Sequence, residues 1–327
     1  MDNLLNFIFR AASVEPKYEE GLCLAVGKTN ACTKCRDACP HEAITIRGKV
    51  AIDPVDCSGC GLCVQACPTQ ALEPKLSYES EAPLRCSRVG GSAQSVHCLG
   101  RLQPSDLLRL IGSGQEAVLA RAECSSCPIG TAAVAEAVES VRSEALELAR
   151  LHGREVSIEI RETDRLEKGS NSAPLSRREL LRGGWRAVQQ SAGEVLTPLD
   201  PGPAPGSHEH VLPTELRRRY RIISASAPEF ETLVPWRLPR ISDDCIMCPA
   251  CTKACPTGAL ERVFEENGDG TLQLKPDHCV SCDACLRVCP VDAVSMDDRV
   301  SWQELSGGRQ EAYRPDPQRE HPDSVAR

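Results

Sequence analysis

The sequence predicts an α+β protein of 327 residues, in which two copies of one small cysteine-rich module flank a small α/β domain, with a linker and a disordered tail. Three observations predict this. The 20 cysteines fall in three zones, Cys23 to Cys67, Cys86 to Cys127 and Cys245 to Cys289, and none lies from 128 to 244. The first and last zones repeat one layout, two cysteine runs separated by a hairpin pattern and each closed by Cys-Pro. Aromatic residues make up only 3% of the chain, too few to pack two large cores, so the cysteines must organise the interior.

The length allows two or three domains. The expected divisions are 1–78 for the first module, 79–163 for the middle domain, 164–240 for a helix and Pro/Gly-rich linker, 241–300 for the second module and 301–327 for the tail. Leu4, Leu5, Phe7, Ile8 and Phe9 predict a short helix packed on the body. Ile44, Ile46, Val50 and Ile52 flank Arg47-Gly48-Lys49 as a hairpin, and Val263, Leu272 and Leu274 surround Asn267-Gly268-Asp269-Gly270 in the same way. After each Cys-Pro comes an Ala-aliphatic step, at Ala43-Ile44, Ala71-Leu72, Ala259-Leu260 and Ala293-Val294, read as a short helical turn. In the middle, extended stretches at Pro83–Ser87, Val96–Leu99 and Ala117–Ala120 are followed by a helix opening at Pro104-Ser105-Asp106. A longer helix capped by Thr131 runs through Leu151, and a strand over Glu155–Arg161 closes the domain. Ser176 and Glu179 form a capping box for a helix toward Val195, and Thr197–Pro213 reads as linker. The run Arg217-Arg218-Arg219-Tyr220-Arg221 reads as a solvated helix end.

The formal charge of −8 argues against nucleic acid as a partner and for docking on a basic patch of another protein. The amino terminus has no basic leader and no small-residue cleavage site, and no window holds the roughly 20 apolar residues of a membrane span. The expectation is a cytoplasmic chain, whose cysteines serve as thiolate ligands instead of disulfides.

The run Cys57-x2-Cys60-x2-Cys63-x3-Cys67-Pro68 recurs as Cys245, Cys248, Cys251, Cys255-Pro256 and as Cys279, Cys282, Cys285, Cys289-Pro290. Three thiolates two residues apart line one tight loop and reach three corners of a [4Fe–4S] cubane, while the fourth belongs to the neighbouring cluster. One C-terminal cluster then takes Cys245, Cys248, Cys251 and Cys289, and the other Cys279, Cys282, Cys285 and Cys255. In the N-terminal module one takes Cys57, Cys60, Cys63 and Cys39, and the other Cys32, Cys35, Cys67 and, by elimination, Cys23. Eight residues separate Cys23 from Cys32 where two are usual, so a spare buried thiol is the alternative there. For the runs as a whole the alternatives are zinc ribbons or disulfides, but zinc favours paired Cys-x2-Cys knuckles.

These runs, over Gly21 to Pro74 and Asp243 to Asp297, resemble the bacterial two-cluster ferredoxins. The resemblance implies ferredoxin-like folds, four [4Fe–4S] clusters and electron transfer. The middle set, Cys86, Cys98, Cys124 and Cys127, lies at predicted strand ends and could converge on a [2Fe–2S] cluster. With Val96-His97-Cys98-Leu99-Gly100-Arg101-Leu102 it resembles the delta iron–sulfur subunit of methyl-viologen-reducing hydrogenases, which implies a [2Fe–2S] centre between a hydrogenase and its acceptor. A structural zinc, or reduced or disulfide-forming thiols, are the alternatives.

Leu175-Ser176-Arg177-Arg178-Glu179-Leu180-Leu181-Arg182-Gly183 resembles a twin-arginine signal placed mid-chain. A similar element begins accessory ferredoxins of the periplasmic nitrate reductase type, which implies docking to a molybdenum enzyme. His41, His97 and His278 lie beside cysteine regions, while His208 and His210 interrupt the linker. No dinucleotide fingerprint, P-loop, zincin helix or radical-SAM triad is found, so no catalysis is expected. The functional expectation is a polyferredoxin, not an enzyme, that carries single electrons to or from a hydrogenase, formate dehydrogenase or another molybdoenzyme. Its rival is a redox or metal sensor built on the middle cysteine set.

Overall fold

The structure, a computed structural model, describes residues 14–26, 32–166, 211–226, 228–265 and 269–316. The helices expected at Leu4–Phe9 and after Ser176, the twin-arginine-like segment, His208 and His210 lie outside them.

Helices and strands are mixed throughout. Strand β1 (Lys17–Tyr18) is followed by α1 (Lys34–Asp37), the hairpin β2 (Ile44–Ile46) and β3 (Val50–Ile52), α2 (Leu62–Ala66) and β4 (Leu72–Glu73), which pairs back with β1. The expected hairpin forms, with Ile44 opposite Ile52 and Ile46 opposite Val50. Gly48 supplies its turn at φ +70°.

The middle stretch holds β5 (Leu84–Cys86), β6 (Gln94–Val96), α3 (Pro104–Ile111), β7 (Glu116–Arg121), α4 (Ala132–Leu151) and β8 (Ser157–Glu162). The four strands form one parallel sheet in the order β6-β5-β7-β8. Parallel strands need crossovers, and α3 and α4 supply two of them. Along α4, Val134, Val138, Val141, Ala145 and Leu148 fall on one stripe and are buried. The first turn of α3 is closed by Asp106, whose carboxylate accepts the Gln103 N–H at 3.0 Å.

Helix α5 (Thr214–Ala225) packs on α3 and α4. Its Glu215 is buried, accepting the Ser105 N–H at 3.1 Å and the Ser105 hydroxyl. The basic run is therefore not a free helix end: Arg218 reaches Asp106 at 3.4 Å and Arg219 reaches Glu144 at 3.5 Å.

Beyond it come β9 (Leu233–Val234), β10 (Pro239–Ile241), α6 (Ala250–Ala254), β11 (Leu260–Phe264), β12 (Gly270–Leu274), α7 (Ala284–Val288) and β13 (Val294–Met296). β10 pairs with β13 as β1 does with β4, so the duplication in the cysteine pattern extends to the backbone. Two expectations need correction. Residues 301–316 are not a disordered tail: β14 (Val300–Ser301) pairs with β9, α8 (Trp302–Ser306) buries Leu305, and β15 (Gln310–Tyr313) adds a third strand beside β12. The steps after each Cys-Pro are not helical either. Ile44, Leu72, Leu260 and Val294 each begin a strand, because the residue two before it turns the chain through left-handed backbone.

Candidate metal centres

All 20 cysteines lie among the described residues and none is joined in a disulfide. The structure gathers them into five groups. Cys57 and Cys60, from the loop that leads into α2, and Cys63, in its first turn, meet Cys39 around a small cavity lined by Ile44 and Ile52. Burial pushes the Cys63 thiol up to about 12, and the neighbouring Cys60, Cys57 and Cys39 add to it. In the second group burial pushes Cys35 up to about 11, with Cys67, Cys23 and Cys32 contributing. Cys23 is thus brought to the other three despite its irregular spacing; the buried Leu22 and Leu24 on either side hold its loop.

The C-terminal cysteines divide likewise. Burial raises Cys285 to about 12, helped by Cys282 and Cys255, and the same three thiols surround Cys279. Cys251 is raised to about 11, by burial first and then by Cys245 and Cys248, while Cys289 acts on Cys245.

One backbone device recurs around these groups. The third residue after each closing cysteine, Glu42, Gln70, Gly258 or Asp292, has φ of 52°, 56°, 63° or 52°. That turn aims the N–H of Ala71, Ala259 and Ala293 at the sulfurs of Cys67, Cys255 and Cys289, at 3.3, 3.2 and 3.2 Å. Gly59, Met247 and Ser281, also left-handed, donate their N–H groups to Cys57, Cys245 and Cys279. Seven non-glycine residues among those described have positive φ, and six of them lie within three residues of a cysteine; only Glu81 does not. Such backbone costs of order 1–3 kcal/mol per residue and persists where a site requires it. Here it supplies N–H donors that favour thiolate over thiol.

The middle group sits at the carboxyl edge of the parallel sheet, where open α/β sheets place their sites. Cys86 ends β5, Cys98 follows β6, Cys124 and Cys127 follow β7, and all four line one cavity under Val134 and Val138 of α4. Burial pushes Cys98 up to about 12, and its own +2 residue, Gly100, donates an N–H to it. Among the described residues, no three His, Cys, Asp or Glu side chains close on one point as a single metal ion requires.

Sequence reasoning missed three residues. Arg101 is buried near Cys98, Cys57, Cys63 and Cys60, thiols of two groups. The hydroxyls of the buried Thr69 and Thr257 lie 3.6 and 3.7 Å from the sulfurs of Cys67 and Cys255. Their signal was available in the repeated Cys-Pro-Thr-x-Ala-Leu, whereas Arg101 stood out only as part of the run around Cys98. His97 donates from Nε2 to the Ser58 carbonyl at 2.7 Å and His41 to that of Ile129 at 3.0 Å, so both join the middle sheet to the first module. His278 lies 3.9 Å from Asp277.

A buried to half-buried all-sulfur donor set ringed by N–H groups suits iron–sulfur clusters, whose irons offset the penalty of burying thiolates. The comparisons agree at that level. Residues 30–71 and 244–293 each match the 4Fe-4S dicluster domain, which makes this a protein with two iron–sulfur dicluster regions. Over 50 residues, 15% of the chain, it is 46% identical to the indolepyruvate oxidoreductase subunit IorA of Methanothermobacter thermautotrophicus. The match spans 8% of that relative. No solved structure matches. Dicluster domains together with similarity to an oxidoreductase subunit point to electron transfer. No helix among the described residues is long and apolar enough to cross a membrane.

Proposed function

We propose that the chain is a polyferredoxin, a one-electron carrier or electron-transfer subunit working with an oxidoreductase such as a hydrogenase, formate dehydrogenase or another molybdoenzyme. Two ferredoxin-like modules would flank the α/β sheet. Cys39, Cys57, Cys60 and Cys63 hold one [4Fe–4S] cluster and Cys23, Cys32, Cys35 and Cys67 a second. Cys255, Cys279, Cys282 and Cys285 hold a third, and Cys245, Cys248, Cys251 and Cys289 a fourth. Cys86, Cys98, Cys124 and Cys127 hold a [2Fe–2S] centre. Bound there, such clusters supply reversible one-electron chemistry at potentials the protein tunes.

The chain's own part is to grip, shield and bias. The observation that carries the reading is the strained backbone concentrated at the cysteines, which aims amide N–H groups at sulfur. Those donors, with the hydroxyls of Thr69 and Thr257 and the guanidinium of Arg101, stabilise added negative charge and so raise the potential of the site each one faces. Potentiometric EPR on anaerobically loaded protein tests the proposal. It should show reversible one-electron signals; their absence from iron-loaded protein rejects it.

A further inference from the structure

The contacts between the five thiol groups are not random. Cys60 is buried in the same core as Cys86 and Cys98, apart from the core that holds its module partner Cys63. At that join the chains touch through backbone: a Cβ on Gly100 would lie 2.6 Å from the Cys60 carbonyl oxygen, and one on Gly130 would lie 3.4 Å from the Cys60 Cβ. Within the first module, Cys63 shares a core with Cys23, Cys35 and Cys67. Within the last, Cys251 and Cys279 share one, with Cys245, Cys255, Cys282 and Cys285 at its margin. A fourth, small apolar core spans the modules. It consists of Leu24, Ala254 and Ala284, with Cys32 of the first module and Cys282 of the last packed against it. Leu24 is 1% exposed there. No core among the described residues joins a middle-set cysteine to a C-terminal one.

Resting on the cluster assignments above, we propose that the five sites form one unbranched path, and that Leu24 is the contact by which it crosses from one module to the other. The order runs from the middle set to the Cys39/57/60/63 site, then Cys23/32/35/67, then Cys255/279/282/285, and ends at Cys245/248/251/289. A single electron given at one end by a one-electron redox protein leaves at the other to a second, with no bond made. Leu24, next to Cys23 in sequence, is thus buried with Ala254 and Ala284 of the neighbouring module.

The test uses the full chain, loaded without oxygen, with each EPR signal assigned by the Cys→Ser variant that removes it. In Leu24→Glu, with iron content unchanged, two midpoints should shift to more negative values, that of Cys23/32/35/67 and that of Cys255/279/282/285, while the other three sites hold. Leu24→Asn, which adds a dipole and no charge, should move the same pair and serves if the Glu variant does not retain iron. In Cys98→Ser, loss of magnetic broadening should be confined to the Cys39/57/60/63 signal. Shifts confined to one module, or broadening lost from a C-terminal signal, overturn the path but leave the carrier intact. Loss of every reversible signal in the parent protein would instead reject the carrier itself.

Discussion

Gly61 lies where the first cysteine module packs against the turn that follows β6, and replacing it by alanine separates two costs. It opens α2 at φ +90°, and an added Cβ would meet the Gly100 carbonyl, with the Gly100 carbon at 2.5 Å and the Arg101 nitrogen at 2.6 Å. All three are backbone atoms that cannot rotate away. Gly48, at φ +70°, carries the backbone cost alone, since a Cβ added there would meet nothing within 4 Å. Left-handed backbone costs an alanine roughly 1–2 kcal/mol in either place. Overpacking adds about 1–3 kcal/mol at Gly61. At about 2–4 °C per kcal/mol for chains of this class, Gly61→Ala should melt roughly 2–12 °C below Gly48→Ala. Anaerobic thermal melts followed by circular dichroism and by bleaching of cluster absorbance give the difference. Equal melting points for the two variants would refute the close backbone contact between module and sheet.

Arg101→Gln removes a buried positive charge beside Cys98 and beside Cys57, Cys63 and Cys60, so the reduced, more negative states of those two sites lose support and their midpoints fall. For a separation on the order of 7 Å and an effective dielectric of about 20, the loss is roughly 2.4 kcal/mol, or ~100 mV for one electron, read by redox titration. Thr69→Val and Thr257→Val should each lower one midpoint, that of the site holding Cys67 or Cys255, by roughly 20–65 mV, the worth of a hydrogen bond of about 0.5–1.5 kcal/mol. In iron-free protein the buried thiols Cys63, Cys98 and Cys285 are held protonated up to about 12. Unfolded thiols ionise near ~8.5, so these groups contribute full stability below that pH and lose it as pH rises toward their folded values. Chemical denaturation of the iron-free chain at rising pH should show that decline, and a flat profile would contradict the burial.

Much of the site was legible because ligand spacing is local: Cys-x2-Cys-x2-Cys fixes one loop whatever surrounds it. The long helix over Ala132–Leu151 was legible for a similar reason, its apolar stripe repeating along one stretch of chain. What depends on distant partners was not. Arg101 stands beside Cys98 in sequence, but its nearness to Cys57, Cys63 and Cys60 comes only from the fold, and Glu215 looks like any helix-start acid until Ser105 meets it. The strand Gln310–Tyr313 carries mostly polar and charged side chains beside Arg309, so nothing local marks it, and only pairing with β12 makes it a strand. The turns after Cys-Pro look helical from sequence because left-handed φ at Glu42, Gln70 and Asp292 is imposed by the site against local preference.

Iron and acid-labile sulfide analysis of anaerobically purified protein weighs the central claim most directly. Four cubanes and one binuclear centre require about 18 of each per chain, and about 16 when Cys124 and Cys127 are both changed to serine. A colourless, iron-free chain that is nonetheless fully folded would contradict the account.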